Sequence, residues 1–331
     1  MNNVTAQILT CLAAADDYLS GERLCSTLGI TRSAVWKHIR QLRSEGYQID
    51  AVTGRGYLLS GLTGRPVQAE VLPFLTCQRF GTTIDYHTMA TSTNMLAKAL
   101  ALEGAPEGCV VVADAQSGGK GRMGSTWISP PGVNLYFSLI LRPAVPSIRV
   151  PQLTLLLAVA IHRAVTDLSP GLAAMIKWPN DILVNGKKLC GVLCEMQSEP
   201  EMTHFVVAGI GINVNQCDIP PELKESATSL FLERGELFSR PQLLALVLNH
   251  IEPLYDEWLH QDDLAFILPS LEQYSLLQAQ EVSIDQRNRT LNGTVTGIAK
   301  GGELKLQGAD GETILVSSGE AHLRKKMVKC E

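Results

Sequence analysis

The chain has 331 residues, of which 45% are hydrophobic and 18% charged, and a formal net charge of −5. That length predicts two or three domains of ordinary globular composition, and the acidic balance argues against a protein that coats nucleic acid with its whole surface, so any DNA contact must come from a local patch. The eight cysteines stand singly, with no CxxC pair and no histidine at zinc-ligand spacing beside them, which predicts reduced core residues and a reducing cytoplasm.

No cationic stretch followed by an apolar core opens the chain, so no secretory signal is expected. Between Ser20 and Glu45 two helical patterns are split by Gly29-Ile30-Thr31, the spacing of a helix-turn-helix. Ser20 is placed to cap the first helix, Gly29 to end it in a left-handed turn, and Thr31 to cap a second helix whose Val35, Ile39 and Leu42 share a face. The opposite face carries Arg32, Ser33, Trp36, Lys37, Arg40 and Arg43 with no acidic residue, a local charge of +4 where a recognition helix would meet phosphates. Tyr47 to Leu59 alternates like a hairpin around Gly54-Arg55-Gly56, so a wing is expected, with Arg55 at its tip reaching for a backbone phosphate. Thr31, Arg32, Ser33, Trp36, Lys37, Arg40 and Arg55 are therefore the expected DNA-binding residues. A Gly- and Pro-containing linker follows.

Past the linker, Ile84 to Tyr86 reads as a strand, and Ser92-Thr93-Asn94 precede a helix over Met95 to Leu102 that their side chains could cap or, at its positive end, turn toward a small polar ligand. Cys109 to Ala113 is a buried strand that runs into Asp114-Ala-Gln-Ser-Gly-Gly-Lys-Gly-Arg-Met-Gly-Ser-Thr-Trp127, where four glycines and two cations make a loop suited to an anion. The same glycines fit a dinucleotide fingerprint in part, but the prolines after Trp127 forbid the required helix and no acid follows before Asp167. Asn134 to Arg142 is a strand, and Gln152 to Leu168 a helix whose apolar run is too short to span a bilayer, so a buried helix is expected. Lys177-Trp-Pro-Asn-Asp181 closes a further strand, and Asn185-Gly186 is a two-residue hairpin turn bringing Lys187 and Lys188 back toward Asn180 and Asp181. A lysine, an asparagine and an aspartate converging there suit a carboxylate, a phosphate chain and Mg²⁺. Pro241 to His260 is an amphipathic helix. From Glu281 onward short strands with turns expected at Asn292-Gly293, Gly301-Gly302 and Asp310-Gly311 indicate a compact all-β module.

The strings Lys177-Trp-Pro-Asn-Asp181 and Lys188-Leu-Cys-Gly191, with Ser92-Thr-Asn94, Gln116 beside the glycine loop, and Gly209-Ile-Gly-Ile-Asn213, resemble the biotin protein ligases, and the winged helix makes the chain similar to their bifunctional bacterial type. The resemblance implies a mixed α/β (α+β) protein: a winged helix-turn-helix over 1–62, a linker over 63–68, a biotin- and ATP-binding catalytic domain over 69–275, and an SH3-like small β-barrel over 276–331. It implies activation of biotin by ATP and Mg²⁺ to biotinoyl-5'-AMP, transfer to a lysine of the biotin carboxyl carrier protein of acetyl-CoA carboxylase, and repression of the biotin operon with the adenylate as corepressor. It places Ser92, Thr93, Asn94, Gln116, Gly119, Lys120, Gly121, Arg122 and Lys188 at biotin, and Arg122, Trp127, Asn180 and Asn213 at the nucleotide. Arg122, Lys188, Lys177 and Asp181 are the implied catalytic residues, with Asp181 as the Mg²⁺ ligand. Operator DNA, the carrier protein and a second copy of the chain are the implied partners, with no membrane. Lys120, Met123 and Ser125 stand where this family commonly has arginines, which bears on retention of the adenylate and ordering of the loop. The alternatives are a biotin-sensing repressor without ligase activity and a lipoate- or octanoate-attaching enzyme of the same fold.

Overall fold

The computed structural model describes residues 3–286 and 289–324; the last seven residues of the expected C-terminal module, Cys330 among them, lie outside that range. Three helices, α1 (Asn3–Ala13), α2 (Gly21–Leu28) and α3 (Arg32–Ser44), are followed by a hairpin of β1 (Gln48–Val52) and β2 (Gly56–Gly61). The local signals act as expected. The Ser20 hydroxyl accepts from Arg23 N, Gly29 sits at φ 65°, and the Thr31 hydroxyl accepts from Ala34 N at 3.3 Å. Val35, Ile39 and Leu42 pack against Ile8, Leu9, Leu12 and Leu24 in a core of their own.

That core continues into the rest of the molecule, because Val67 and Ala69, the latter in the short α4 (Gln68–Val71), belong to it and Tyr86 packs against its edge. The linker is correspondingly tied down. The buried Glu70 carboxylate accepts from Thr63 N at 3.2 Å, the Thr63 hydroxyl at 2.6 Å and Gly64 N at 2.9 Å. Three donors on one carboxylate convert a Gly- and Pro-containing segment into a fixed strap.

The central region is a seven-stranded mixed sheet in the order β3-β4-β5-β9-β8-β7-β6. In chain order these are β3 (Ile84–His87), β4 (Val110–Ala113), β5 (Leu135–Leu141), β6 (Ala174–Lys177), β7 (Asp181–Val184), β8 (Lys187–Ser198) and β9 (Thr203–Ile212). Only β3 and β4 are parallel. The helix α5 (Thr93–Leu102) covers one face through Ala97 and Ala101 over Val111, Ile140 and Val207. On the other face lie α6 (Pro151–Leu168) and, after the short α7 (Leu230–Arg234), α8 (Arg240–His260), with α9 (Leu268–Gln273) leading out of the region. Ser147–Leu168 is the one stretch among the described residues apolar and long enough to cross a membrane, and most of it is buried in this core.

The C-terminal module is a five-stranded antiparallel sheet, β13-β12-β11-β10-β14, built from β10 (Glu281–Gln286), β11 (Arg289–Ile298), β12 (Leu304–Gln307), β13 (Thr313–Val316) and β14 (Glu320–Leu323). The expected turn at Asn292-Gly293 is not there: both residues lie inside β11, opposite Ser283 and Val282. Gly293 is required for another reason, since a Cβ on it would overlap the Gln307 carbonyl of the neighbouring strand. Turns do occur at Gly301-Gly302 and Asp310-Gly311.

Candidate active site

The sheet floor under the glycine loop is made by glycines. Gly191 of β8 and Gly211 of β9 stand opposite one another, and the Trp127 ring lies on them: a Cβ on Gly211 would come within 2.6 Å of that ring and one on Gly191 within 3.1 Å. Gly209, two residues back, leaves room for the Asn94 side chain in the same way. The Gly209-Ile-Gly-Ile-Asn213 string is thus a strand whose one face is kept bare to receive other groups.

Over this floor lie two adjoining cavities, of 450 and 420 Å³, which share Gly121, Ser125, Trp127, Lys177, Asp181, Lys188 and Glu320. The first is walled by Ser92, Thr93, Asn94, Gln116, Lys120, Arg122 and Asn180; the second reaches Asn213, Gln216 and Ser226. Trp127 is the partition between them, and the Lys188 ammonium stands 5.4 Å from its ring centroid, within range of a cation–π attraction.

The charged groups meet at that partition. Lys188 Nζ is 2.8 Å from Asp181 Oδ1, which has no other partner among the described residues. Arg122 donates to Asn180 Oδ1 at 2.9 Å, and the Asn180 amide is fixed in turn by donating to the Val192 carbonyl at 3.0 Å. Desolvation weakens the charged form of Arg122, against the pull of Asp181 and Glu320. Lys177 borders both cavities from the end of β6. Lys187 does not join the group: its ammonium donates to the Lys224 carbonyl at 2.7 Å, because adjacent strand residues diverge. Lys120 lines the first cavity from an exposed position. Gly119 is buried beneath the loop, where a Cβ would press on the Trp127 carbonyl at 2.5 Å, so its place is set by close backbone approach.

The start of α5 differs from the sequence expectation. No side-chain cap comes from Ser92; Gln116 Oε1, from the glycine loop, accepts from Thr93 N at 2.9 Å. Ser92 is left buried with its hydroxyl bordering the first cavity. Asn213 is buried, and its amide donates to the Thr228 carbonyl at 2.9 Å while its oxygen lies 3.5 Å from Asn134 Nδ2. Several site residues carry no motif signal. Asp114 at the root of the loop is held by Arg240 of α8 at 2.7 Å, both side chains being largely buried. Glu320 and Ala321 come from the C-terminal sheet, which is further joined to the Lys177-Trp-Pro-Asn-Asp181 turn by a 3.0 Å hydrogen bond from Trp178 Nε1 to the Gly302 carbonyl.

At the far end, α3 exposes Arg32, Ser33, Trp36, Lys37 and Arg40, with Arg40 stacked 4.7 Å over Trp36. Arg43 turns away and donates to the Ile49 carbonyl at 2.9 Å, fastening the wing. Arg55 sits in the wing turn but pairs with Asp17 at 3.0 Å and stacks 4.3 Å over Tyr18.

Residues 86–213 match the Biotin/lipoate A/B protein ligase family, 4–58 an HTH domain and 280–324 the biotin protein ligase C terminal domain. The bifunctional ligase/repressor BirA of Bacillus subtilis is 42% identical over 290 residues, 87% of either chain. The chain belongs to the BirA ligase/repressor family. The BirA of Escherichia coli is 28% identical over 325 residues, 98% of both chains. A solved biotin protein ligase from Aquifex aeolicus in complex with biotin and ATP superposes with a TM-score of 0.64 at 29% identity, covering 73% of this chain and 99% of that one. In this BirA-family chain the loop closes on itself: Gly121 N donates to the Ser125 carbonyl at 2.7 Å, the Ser125 hydroxyl to the Arg122 carbonyl at 2.8 Å, and Met123 takes a φ of 54°.

Proposed function

We propose that the chain is an ATP-dependent biotin protein ligase, dividing at about the predicted boundaries into 1–62, 69–275 and 276–331, and a repressor whose corepressor is its own adenylate. The observation that carries this is the pair of adjoining cavities, with Lys188 bordering both and Arg122 in the wall of the first. Biotin belongs in the first, against Ser92, Thr93, Asn94, Gln116 and the glycine loop; adenosine belongs in the second, with Trp127 and Asn213. The biotin carboxylate and the α-phosphate, both anions, are then brought together between two cations. Such fixed charges lower the barrier by offsetting repulsion as the charge shifts, and by supplying orientation in advance. A carboxylate oxygen attacks the α-phosphorus, pyrophosphate leaves, and the mixed anhydride is later opened by a lysine amine of a carrier protein, releasing AMP. Asp181 suits Mg²⁺, since a buried carboxylate oxygen whose only partner among the described residues is a movable ammonium is what an ion shared with substrate phosphates requires. Such an ion would supply further charge on the phosphates.

Biotin-dependent ATP–pyrophosphate exchange tests this reading; exchange with lipoate in place of biotin, or with neither acid, overturns it in favour of a lipoate-type enzyme or a pure sensor. Arg122→Gly is expected to slow adenylate formation without abolishing it, Lys188 remaining, and to release biotinoyl-AMP into solution, biotinylating lysines at random, as seen by blotting a mixture of carrier and bystander protein. Labelling confined to the carrier lysine refutes retention by Arg122.

The carrier is the biotin carboxyl carrier protein, the compartment the cytoplasm, and the repressor a homodimer, because a palindromic operator mirrors a two-fold axis. The exposed face of α3 makes the phosphate contacts. Lys37→Ala is expected to weaken binding to every DNA sequence alike and to reduce the slope of log affinity against log salt by about 1, measured by fluorescence anisotropy. An unchanged slope places Lys37 off the DNA.

A further inference from the structure

Behind the first cavity lies a chain of hydrogen bonds whose proton directions are fixed from its outer end. Resting on the ligase reading above, we infer that Glu195 and Ser138, which touch neither cavity, set the side chains at the start of α5 so that the pocket offers a hydrogen-bond acceptor to a ring N–H of the substrate. The order of bonds follows from donor and acceptor capacity alone. The Glu195 carboxylate only accepts, so its 2.7 Å contact must be with the Asn94 NH₂, which also lies 3.4 Å from the Leu193 carbonyl. Asn94 Oδ1 must then face the Ser138 hydroxyl, 2.7 Å away, and accept from it. The same fully buried hydroxyl stands on the donor side of a 2.8 Å contact with Thr93 Oγ1, so Thr93 accepts from Ser138 and is held against it. Thr93 Oγ1 gives its own proton to Gln116 Oε1 at 3.3 Å, which directs that proton into the protein. What Thr93 presents to the cavity is lone pairs.

A cyclic urea supplies the matching donor, and a dithiolane or plain acyl chain has none. Rejection of acids that lack the N–H therefore rests on a carboxylate at an exposed position of β8 as well as on the residues that touch the ligand. A site built to pair a substrate N–H discriminates strongly against analogues without it, because its own polar groups are then left unpaired. Both are positioning residues.

The test is steady-state pyrophosphate exchange on the full chain with Glu195→Leu, Glu195→Gln and Ser138→Ala. Glu195→Leu frees the Asn94 amide to turn over, so the KM for biotin is expected to rise at least about tenfold, with kcat, the KM for ATP and the melting temperature within about twofold of the unmodified chain. Glu195→Gln, which can still accept from Asn94, is expected to recover most of the loss. Ser138→Ala should reproduce the Glu195→Leu phenotype; should it fail to fold, the two exposed-site variants decide. A biotin KM unchanged in Glu195→Leu, or a rise in it matched by an equal loss of kcat and an equal rise in the KM for ATP, overturns the inference. Absence of exchange in the unmodified chain strikes the ligase reading itself.

Discussion

Replacing Lys188 by methionine is expected to lower kcat for biotin-dependent pyrophosphate exchange by about a thousandfold, the cost typical of removing one preorganised charge-stabilising donor. Methionine keeps the unbranched stem that lies near the Trp127 ring, so the partition between the cavities stays in place. What disappears is the ammonium 2.8 Å from Asp181 Oδ1. The loss is double, because Asp181 then faces the incoming phosphates without the cation that had offset it, and two like charges in a poorly solvated site repel strongly. The effect should fall on kcat more than on the KM for biotin, since Thr93, Asn94 and Gln116, the residues proposed to hold biotin, line only the first cavity whereas Lys188 borders both. Lys188→Arg keeps the charge and should recover part of the rate, though a planar fork cannot occupy the place of a compact ammonium. Exchange within tenfold of the unmodified chain in Lys188→Met would mean that Arg122 alone brings the two anions together.

Much of the fold was legible because its signals are local. Ser20, Gly29 and Thr31 act within one turn of themselves, and the Asn185-Gly186 hairpin follows from two residues that tolerate positive φ, at 50° and 76°. The cationic side of the site was legible for the same reason, since Lys120 and Arg122 sit in a conspicuous loop and Lys188 follows a hairpin turn. Its supports were not. Gln116 caps a helix that begins 23 positions earlier, Arg240 holds Asp114 from 126 positions away, and Ser138 looks from the sequence like one polar residue in an apolar strand. Each pairing is made by sheet order, which no periodicity encodes. Asn292-Gly293 shows the opposite error. The dipeptide has the chemistry of a turn, but its glycine is demanded by a neighbouring backbone, and sequence alone does not separate the two uses. Met123 is a related case: a non-glycine residue at φ 54° in the glycine loop costs on the order of 1 kcal/mol, and the paired hydrogen bonds of Gly121 and Ser125 hold it there.

The same long-range logic makes Glu252 a residue whose loss should cost much stability. It lies on α8, buried, and its carboxylate accepts from Gln78 N at 2.8 Å, Arg79 N at 2.9 Å and Phe80 N at 2.8 Å, closing the segment that leads into β3. Burial alone would raise its pKa; the three backbone donors, with Arg79 beside them, outweigh that and hold the carboxyl below its ordinary value. Glu252→Ala strands these donors next to the fully buried Phe80, at about 1–3 kcal/mol for each that finds no water, so a loss of about 3 kcal/mol is expected in urea denaturation at pH 7. Glu252→Gln, with one acceptor oxygen in place of two, should fall between. The sign of the pH dependence is set by the depressed pKa. The stabilisation is complete above the unfolded value, near 4.5, and drains away as pH falls through the lower folded value, so the gap between Glu252→Ala and the unmodified chain should narrow below about pH 4.5. A gap that stays constant down to pH 3 would mean that the carboxylate charge contributes nothing and that alanine acts only by leaving a cavity.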